Sequence, residues 1–256
     1  FTIGITDVNQ DFNSSIFQIL DNNTQQNFLM SNLKNEVYFH FQDAYVALHY
    51  RFISGIFTFD PGFTLHSYKT ETIQTSGLVD TSFTFFRPDF RVLVKLKESE
   101  TLRLIYRSTK QFTDINNLAE GYIFRNYNSF FQGNPNLEAA LFNVVNMNYQ
   151  SINIFNFTNI FANLSYSLRD DAIQSTTVVE GINSVRSATN SNFPRAIYNA
   201  SGRIDKRSKN FKGGLNVNFN FSDFNNVINE NPTSSSNLTQ RYSANIATNF
   251  RDKPNI

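Results

Sequence analysis

The 256-residue chain contains no cysteine, so it can hold neither a disulfide framework nor a thiolate metal site. It has no tryptophan and only two methionines. It also lacks any run approaching the ~18 apolar residues that a membrane-crossing helix requires, and its mean hydropathy is −0.35. Residence in a membrane would therefore have to come from strands, the other architecture that pairs its backbone groups internally. Charge of one sign is missing too: the formal net charge is +1, with 17% charged side chains, which excludes nucleic acid as an expected partner. Phe1-Thr2-Ile3-Gly4-Ile5 opens in strand-like alternation, without the basic segment, apolar core and cleavage site of a signal peptide. Either a signal has been removed or the chain is a fragment.

What the chain has in quantity is aromatic residues, 28 Phe and 11 Tyr, a supply suited to strands and membrane interfaces. They recur with a period of two, the signature of a strand with one apolar and one polar face. Leu215, Val217, Phe219 and Phe221 alternate with Asn216, Asn218, Asn220 and Ser222. Phe86, Pro88, Phe90, Val92, Val94 and Leu96 alternate with a mostly charged set, Arg87, Asp89, Arg91, Lys95 and Lys97. The same pattern runs through Phe57–Leu65, Val46–Phe52, Leu102–Tyr106, Val145–Tyr149, Ile160–Tyr166 and Tyr242–Ile246. These alternations continue for about ten residues or more, longer than the five or six of an ordinary strand.

Three interruptions are expected. Pro61 and Pro88 remove ladder donors, so each predicts a bulge or an interrupted hydrogen bond. Val37, Phe39 and Phe41 have the opposite parity to Val46, Leu48 and Tyr50, which predicts a bulge or break near Gln42 to Ala44. Connections alternate between tight (Ile53–Gly55, Glu98–Glu100, Ser151–Asn153, Lys209–Asn210) and long (about Ile73 to Thr81, Thr113 to Asn136, Asp170 to Arg195, Asn225 to Asn237). Short turns at one end and long loops at the other is the asymmetry of an outer-membrane barrel, with about ten crossings here. Gly55, Ser99, Asn153 and Asn210 should then lie at one end, and Ser76, Tyr127, Val185 and Glu230 at the other, with a last turn at Arg251 to Asn255.

The fold class expected is thus all-β, an antiparallel up-and-down transmembrane β-barrel. Specific short motifs extend this. Pro88-Asp89-Phe90, then Leu102-Arg103-Leu104-Ile105-Tyr106-Arg107, Thr113-Asp114-Ile115-Asn116-Asn117-Leu118, and Gly133-Asn134-Pro135-Asn136-Leu137-Glu138 follow one another in order. Together they resemble the barrel of TonB-dependent outer-membrane receptors of the Bacteroidetes type, in which a PDF element, an LRLxYS strand, a long loop and a GNPxL segment succeed one another. The likeness extends more loosely from about Asn35 through Phe224. It implies an outer-membrane location among lipid, a plug domain and TonB as partners, a possible surface lipoprotein, and import of a bulky or scarce nutrient. It also implies about 22 strands around a plugged lumen. This sequence departs from that pattern: only about ten strands are present, no plug-like stretch precedes Phe1, and Pro254-Asn255-Ile256 is not a terminal aromatic strand. Residues 1–256 are therefore expected to be one section of a single barrel domain without its plug, incomplete, with first and last strands left unpaired.

A search for chemistry yields little. His49 and His66 share the polar parity, but a hairpin centred on Ser54 would pair His66 near Gln42, about seven positions or ~23 Å from His49, too far for a shared metal. Asp170-Asp171 reads as a solvated loop start, since calcium needs more oxygen ligands. No glycine falls in a phosphate-loop pattern. No catalytic residue, metal site or cofactor is expected. The loop from Thr113 to Asn136 interleaves Tyr122, Phe124, Tyr127, Phe130 and Phe131 with Arg125, a mixture suited to sugars, peptides or chelates; packing of the loop onto the rim explains it as well. Arg87, Asp89, Arg91, Lys95, Arg103 and Arg107 should face the lumen, toward substrate or, by the resemblance, toward a plug. Two other functional classes fit less well: a self-contained small barrel acting as channel or outer-membrane enzyme, and a soluble β-sandwich or adhesin module.

Overall fold

The computed structural model describes residues 1–27, 31–191, 193–229 and 231–250. Its strands are β1 (Thr2–Ser15), β2 (Phe17–Ile19), β3 (Gln25–Asn27), β4 (Lys34–His49), β5 (Phe52–Ser54), β6 (Phe57–Gln74), β7 (Gly77–Lys97), β8 (Glu100–Gln111), β9 (Tyr122–Asn126) and β10 (Ser129–Gln132). There follow β11 (Ala140–Asn153), β12 (Thr158–Asp170), β13 (Ile173–Glu180), β14 (Asn183–Asn190), β15 (Arg195–Arg207), β16 (Phe211–Ile228) and β17 (Asn231–Thr248). Ten of these form an up-and-down antiparallel wall, in the order β1-β4-β6-β7-β8-β11-β12-β15-β16-β17. The first and last do not pair with each other, so the sheet is open.

Because directly opposed residues share a face, the register carries the alternation across the whole wall. One row runs Phe90, Tyr106, Val145, Tyr166, Tyr198, Phe221, Leu238. Its neighbour at the other edge runs Ile3, Val46, Leu65, Phe86. This face stays open despite being apolar: Phe86 is 57% exposed, Leu164 47% and Leu215 48%. Exposed apolar side chains in an unbroken band are what lipid contact requires and water forbids. On β6 the band lasts from Phe57 to Leu65, about 26 Å along the strand, comparable with the apolar height of outer-membrane barrels.

The strands are far longer than the band. A tilted strand crosses with about 9–11 residues, whereas β6 has 18 and β7 has 21. Past the band the two faces exchange polarity. The outer face becomes Asp7, His40, Lys69 and Glu71, while the inner one becomes Val37, Phe39, Phe41 and Tyr68. Val37 and Tyr68 are 3% and 6% exposed, and Phe112 closes on Phe41 and Tyr68 with ring centroids 4.7 and 5.1 Å away. This exchange replaces the bulge expected near Gln42 to Ala44: the pairing runs without a slip from Thr2↔Ala47 to Ser15↔Lys34 and from Tyr38↔Ile73 to His49↔Gly62. The parity change in the sequence marks the end of the apolar band, not a fault in the strand.

Two of the expected long loops are also tall hairpins. β6 and β7 pair up to Gln74↔Gly77, where Gly77 has φ +135°. β16 and β17 pair up to Ile228↔Asn231, beside Asn229 at φ +48°. The tight turns near Gly55, Ser99, Asn153 and Asn210 lie at the opposite end from Ser76, as hydrogen bonds from Lys95 N–H to Ile56 and from Ile152 N–H to Ser99 illustrate. The β11–β12 turn falls slightly later than expected, at residues 154–157. Glu230 and the turn expected at Arg251 to Asn255 lie outside the described residues. No bulge occurs at Pro61 or Pro88; the one register shift of the wall falls between Lys95 and Lys97.

The face assignment is tested by two arginines in one strand. Phe219→Arg, on the apolar face, should destabilise the folded protein in bilayers by ~2–4 kcal/mol, and Asn218→Arg on the polar face by much less; equal losses in a folding titration would refute it.

Candidate functional site

The polar face of β4, β6, β7 and β8 carries a concavity of about 850 Å³ lined by His49, Arg51, Asp60, Arg87, Asp89, Arg91 and Arg107 together with less polar neighbours. Lys95 and Arg103 line an adjoining one of about 510 Å³. All six residues expected on the lumen side thus share one face. The two acidic groups of this region are already engaged: Asp60 accepts from Arg51, and Asp89 is bonded to His49 Nε2 at 3.0 Å. Of the arginines, Arg87 donates to Thr64 Oγ1 at 3.2 Å, while Arg91 and Arg107 form no ion pair with the described residues. The surface is therefore basic in character.

The His49 contact reaches from β4 across β6 to β7, and Gly62 permits it. His49 and Asp89 are both register partners of Gly62, and the imidazole lies where a Cβ on Gly62 would stand. Register also corrects the histidine spacing. His66 pairs with Tyr45, not near Gln42, because the turn is at Gly55–Ile56 with Gly55 at φ +58°; that places it four positions, ~13 Å, from His49. His66 Nδ1 is bonded to Asp43 at 2.9 Å, and its ring stacks on Tyr68 at 5.0 Å. Sequence reasoning missed both histidine–carboxylate pairs, since each joins residues 23 or 40 positions apart.

The loop after β8 folds inward over this face. Asn35, 3% exposed, accepts from Gly121 N–H at 2.7 Å and donates to Ser14 Oγ at 2.9 Å and to Tyr122 O at 3.5 Å. Gln74 donates to Leu118 O at 2.8 Å and accepts from Glu120 N–H at 3.1 Å, and Ser76 donates to Glu120. Farther along, β10 pairs in parallel with β14, and β13 in parallel with β16. The loop strands therefore bridge the tall end of the wall, from β16 through β13, β14, β10 and β9 to Asn35 on β4.

Within that canopy the six expected ligand-contact residues divide between two sides of the β9–β10 hairpin. Tyr122, Phe124 and Phe130 cluster, with Phe130 centroids 6.2 and 5.5 Å from the other two. Arg125 stands over Phe131 at 5.4 Å. Tyr127, 84% exposed, is at the tip. They do not converge on one pocket.

Against known structures, the chain is similar to the copper transporter OprC, with TM-score 0.62 and 12% identity over 98% of this chain and 46% of that one. The FrpB iron transporter from Neisseria meningitidis (F3-3 variant) has TM-score 0.49 and 11% identity over 74% of this chain and 26% of that one. The siderophore receptor PirA from Pseudomonas aeruginosa has 0.48 and 8% over 98% and 51%. No family model matches the chain, and neither does any curated protein sequence. The chain spans about half the length of the copper transporter. The fold is that of an outer-membrane β-barrel wall, not closed on itself.

Asn35→Ala should release the canopy by stranding Gly121 N–H and the Ser14 hydroxyl, a cost of about 1–3 kcal/mol for buried unpaired groups. Faster amide exchange or protease cleavage confined to residues 113–136 would register it; unchanged protection would show that other contacts hold the loop. A pH effect is expected on the outer face beyond the apolar band. Glu71 first, then Asp7, raise the His40 pKa above its ordinary 6.5, while hydrogen bonds hold the Asp7 and Glu71 carboxyls below their usual range. A raised histidine contributes fully below its ordinary pKa and loses that contribution as pH rises through the raised value. Unfolding midpoints of wild type and His40→Gln should therefore differ near about pH 5.5 and converge near about pH 8.5; a gap independent of pH would contradict this.

Proposed function

We propose that this chain is part of the transmembrane barrel of a TonB-dependent outer-membrane receptor of the Bacteroidetes type, one that imports a bulky or scarce nutrient. The observation that carries the reading is the pairing of a lipid-type band on one face with a basic, canopy-covered wall on the other. Loops folded across the mouth suit a receptor, which must hold its solute before transport. In this reading the chain is one section of a larger barrel. Unpaired edges of β1 and β17 support it, because backbone groups in hydrocarbon require partners.

The remaining parts follow. Arg87, Arg91, Lys95, Arg103 and Arg107 offer donors to a plug domain seated against the wall, with Asp89 among them. Tyr122, Phe124, Arg125, Tyr127, Phe130 and Phe131 provide aromatic and guanidinium contacts for an incoming solute at the surface, and a surface lipoprotein would dock on the same canopy. TonB acts through the plug, and lipid contacts the band.

Topology and energy coupling test this together. Cysteines at Ser76, Tyr127 and Val185 should react with an impermeant label on intact cells, and those at Gly55, Ser99, Asn153 and Asn210 should not; the reverse pattern would invert the orientation. Growth on a limiting nutrient that depends on the full-length protein should be lost when TonB is deleted. Growth that persists without TonB would favour a passive channel.

A further inference from the structure

We infer that Arg169 and Arg195 form an oxyanion-binding site, for a carboxylate, sulfate or phosphate group carried by a small solute; the inference rests on the reading that the polar face lines the lumen. The two arginines are direct cross-strand partners on β12 and β15. Like charges placed directly opposite each other destabilise a sheet, so the pair needs a compensating partner. Each has an aromatic neighbour and no acid: Arg169 Cζ is 4.1 Å from the Phe142 centroid, and Arg195 Cζ is 5.5 Å from that of Phe224. The arrangement is a single row, since Phe142 pairs with Arg169, and the β15–β16 register through Ile197↔Ser222 places Phe224 beside Arg195. Aromatic faces orient guanidinium groups and attract them, but they supply no negative charge and no in-plane acceptor.

Both Nε atoms are shielded from solvent and have no hydrogen-bond partner. Among the described residues the arginines in ion pairs are Arg51 and Arg203, not these two. An oxyanion between the forks would accept from both guanidinium groups and cancel their repulsion, in the geometry that makes arginine the preferred partner of such groups. The location suits a passing solute. β12 ends at Asp170 and β15 begins at Arg195, on either side of the β13–β14 hairpin that joins the canopy, so the pair stands at the mouth.

The test uses the full-length protein in detergent, with thermal unfolding followed in sodium sulfate or sodium phosphate against sodium chloride at matched ionic strength. Wild type should gain stability from the oxyanions in a saturable way. Arg169→Gln and Arg195→Gln should each weaken that titration by about tenfold or more, the worth of a charge-assisted contact. In oxyanion-free buffer the same variants should unfold at a higher temperature than wild type, because the repulsion is gone. Arg195→Lys keeps the charge without the fork and should titrate weakly. Sulfate stabilises proteins generally by exclusion from their surface, so a gain that is equal in wild type and variants overturns the site, as does no gain in wild type. The assay needs only the pair, so it remains informative if the arginine scan at positions 218 and 219 were to reverse the faces; a correct scan with no oxyanion response would remove the site alone.

Discussion

The structure depends on one constraint: in hydrocarbon every backbone N–H and C=O must find a partner within the sheet. That is why the ten strands keep register over nearly all of their pairing, the shift between Lys95 and Lys97 falling beside the tight turn at Ser99, and why side chains, not backbone breaks, accommodate changes of surroundings. Even the prolines obey it. Pro61 falls opposite Tyr50, between the end of β4 and the start of β5, and its carbonyl still accepts from Tyr50 N–H at 3.0 Å. The pairing totals are the same on both sides of that gap, His49↔Gly62 and Phe52↔Phe59, so the ladder is interrupted without slipping. Pro88 adjoins Asp89↔Arg107, the last pair of β7 with β8. Beyond it the two strands part, and Arg87, Arg107 and Thr109 border the concavity there.

With the backbone fixed, polarity is free to follow height. In the band the outer face is apolar, as lipid contact requires. Past the band the outside meets water, and Asp7, His40, Lys69 and Glu71 form a cross-strand network. The inside, deprived of water by the folded loop, becomes the apolar face instead. A strand that stands clear of the membrane and is roofed on its inner side must therefore reverse its pattern. Loop and reversal imply each other: without Phe112 over them, the rings of Phe41 and Tyr68 would be uncovered on the inner face.

This explains how far the sequence could be read. Period-two alternation identified the wall strands and their faces wherever one rule held over the whole length, as at Leu215 to Ser222. It failed where the rule changed with height. The parity switch between Phe41 and Val46 resembles a bulge when apolar is equated with lipid-facing throughout. Stretches such as Ile73 to Thr81 and Asn225 to Asn237 read as loops, because strands beyond the apolar band carry ordinary water-facing residues. The shared face of the set from Arg87 to Arg107 follows from parity alone. The canopy does not, since Asn35 and Gly121 are 86 positions apart and neither carries a pattern. Arg169 and Arg195 were likewise invisible, because opposition across strands is set by register and not by spacing.

Register also gathers the inner charges into neighbouring rows of the sheet. Asp89, Arg107, Val144, Ser167, Ile197 and Ser222 make one row around the wall. Two positions nearer the long-loop end, in the next row of the same face, come Phe142, Arg169 and Arg195, and Arg87 stands two positions beyond Asp89 on β7. The arginines of four different strands, β7, β8, β12 and β15, thus stand in two neighbouring rows of the inner face. In the closed barrel proposed above, a predominantly basic zone between low-dielectric walls would focus the field across the opening and raise the local concentration of negatively charged solutes. Closing the mouth with loops strengthens that effect by excluding screening ions. The same inward fold that makes the upper wall apolar therefore sharpens the electrostatics of the basic zone below it.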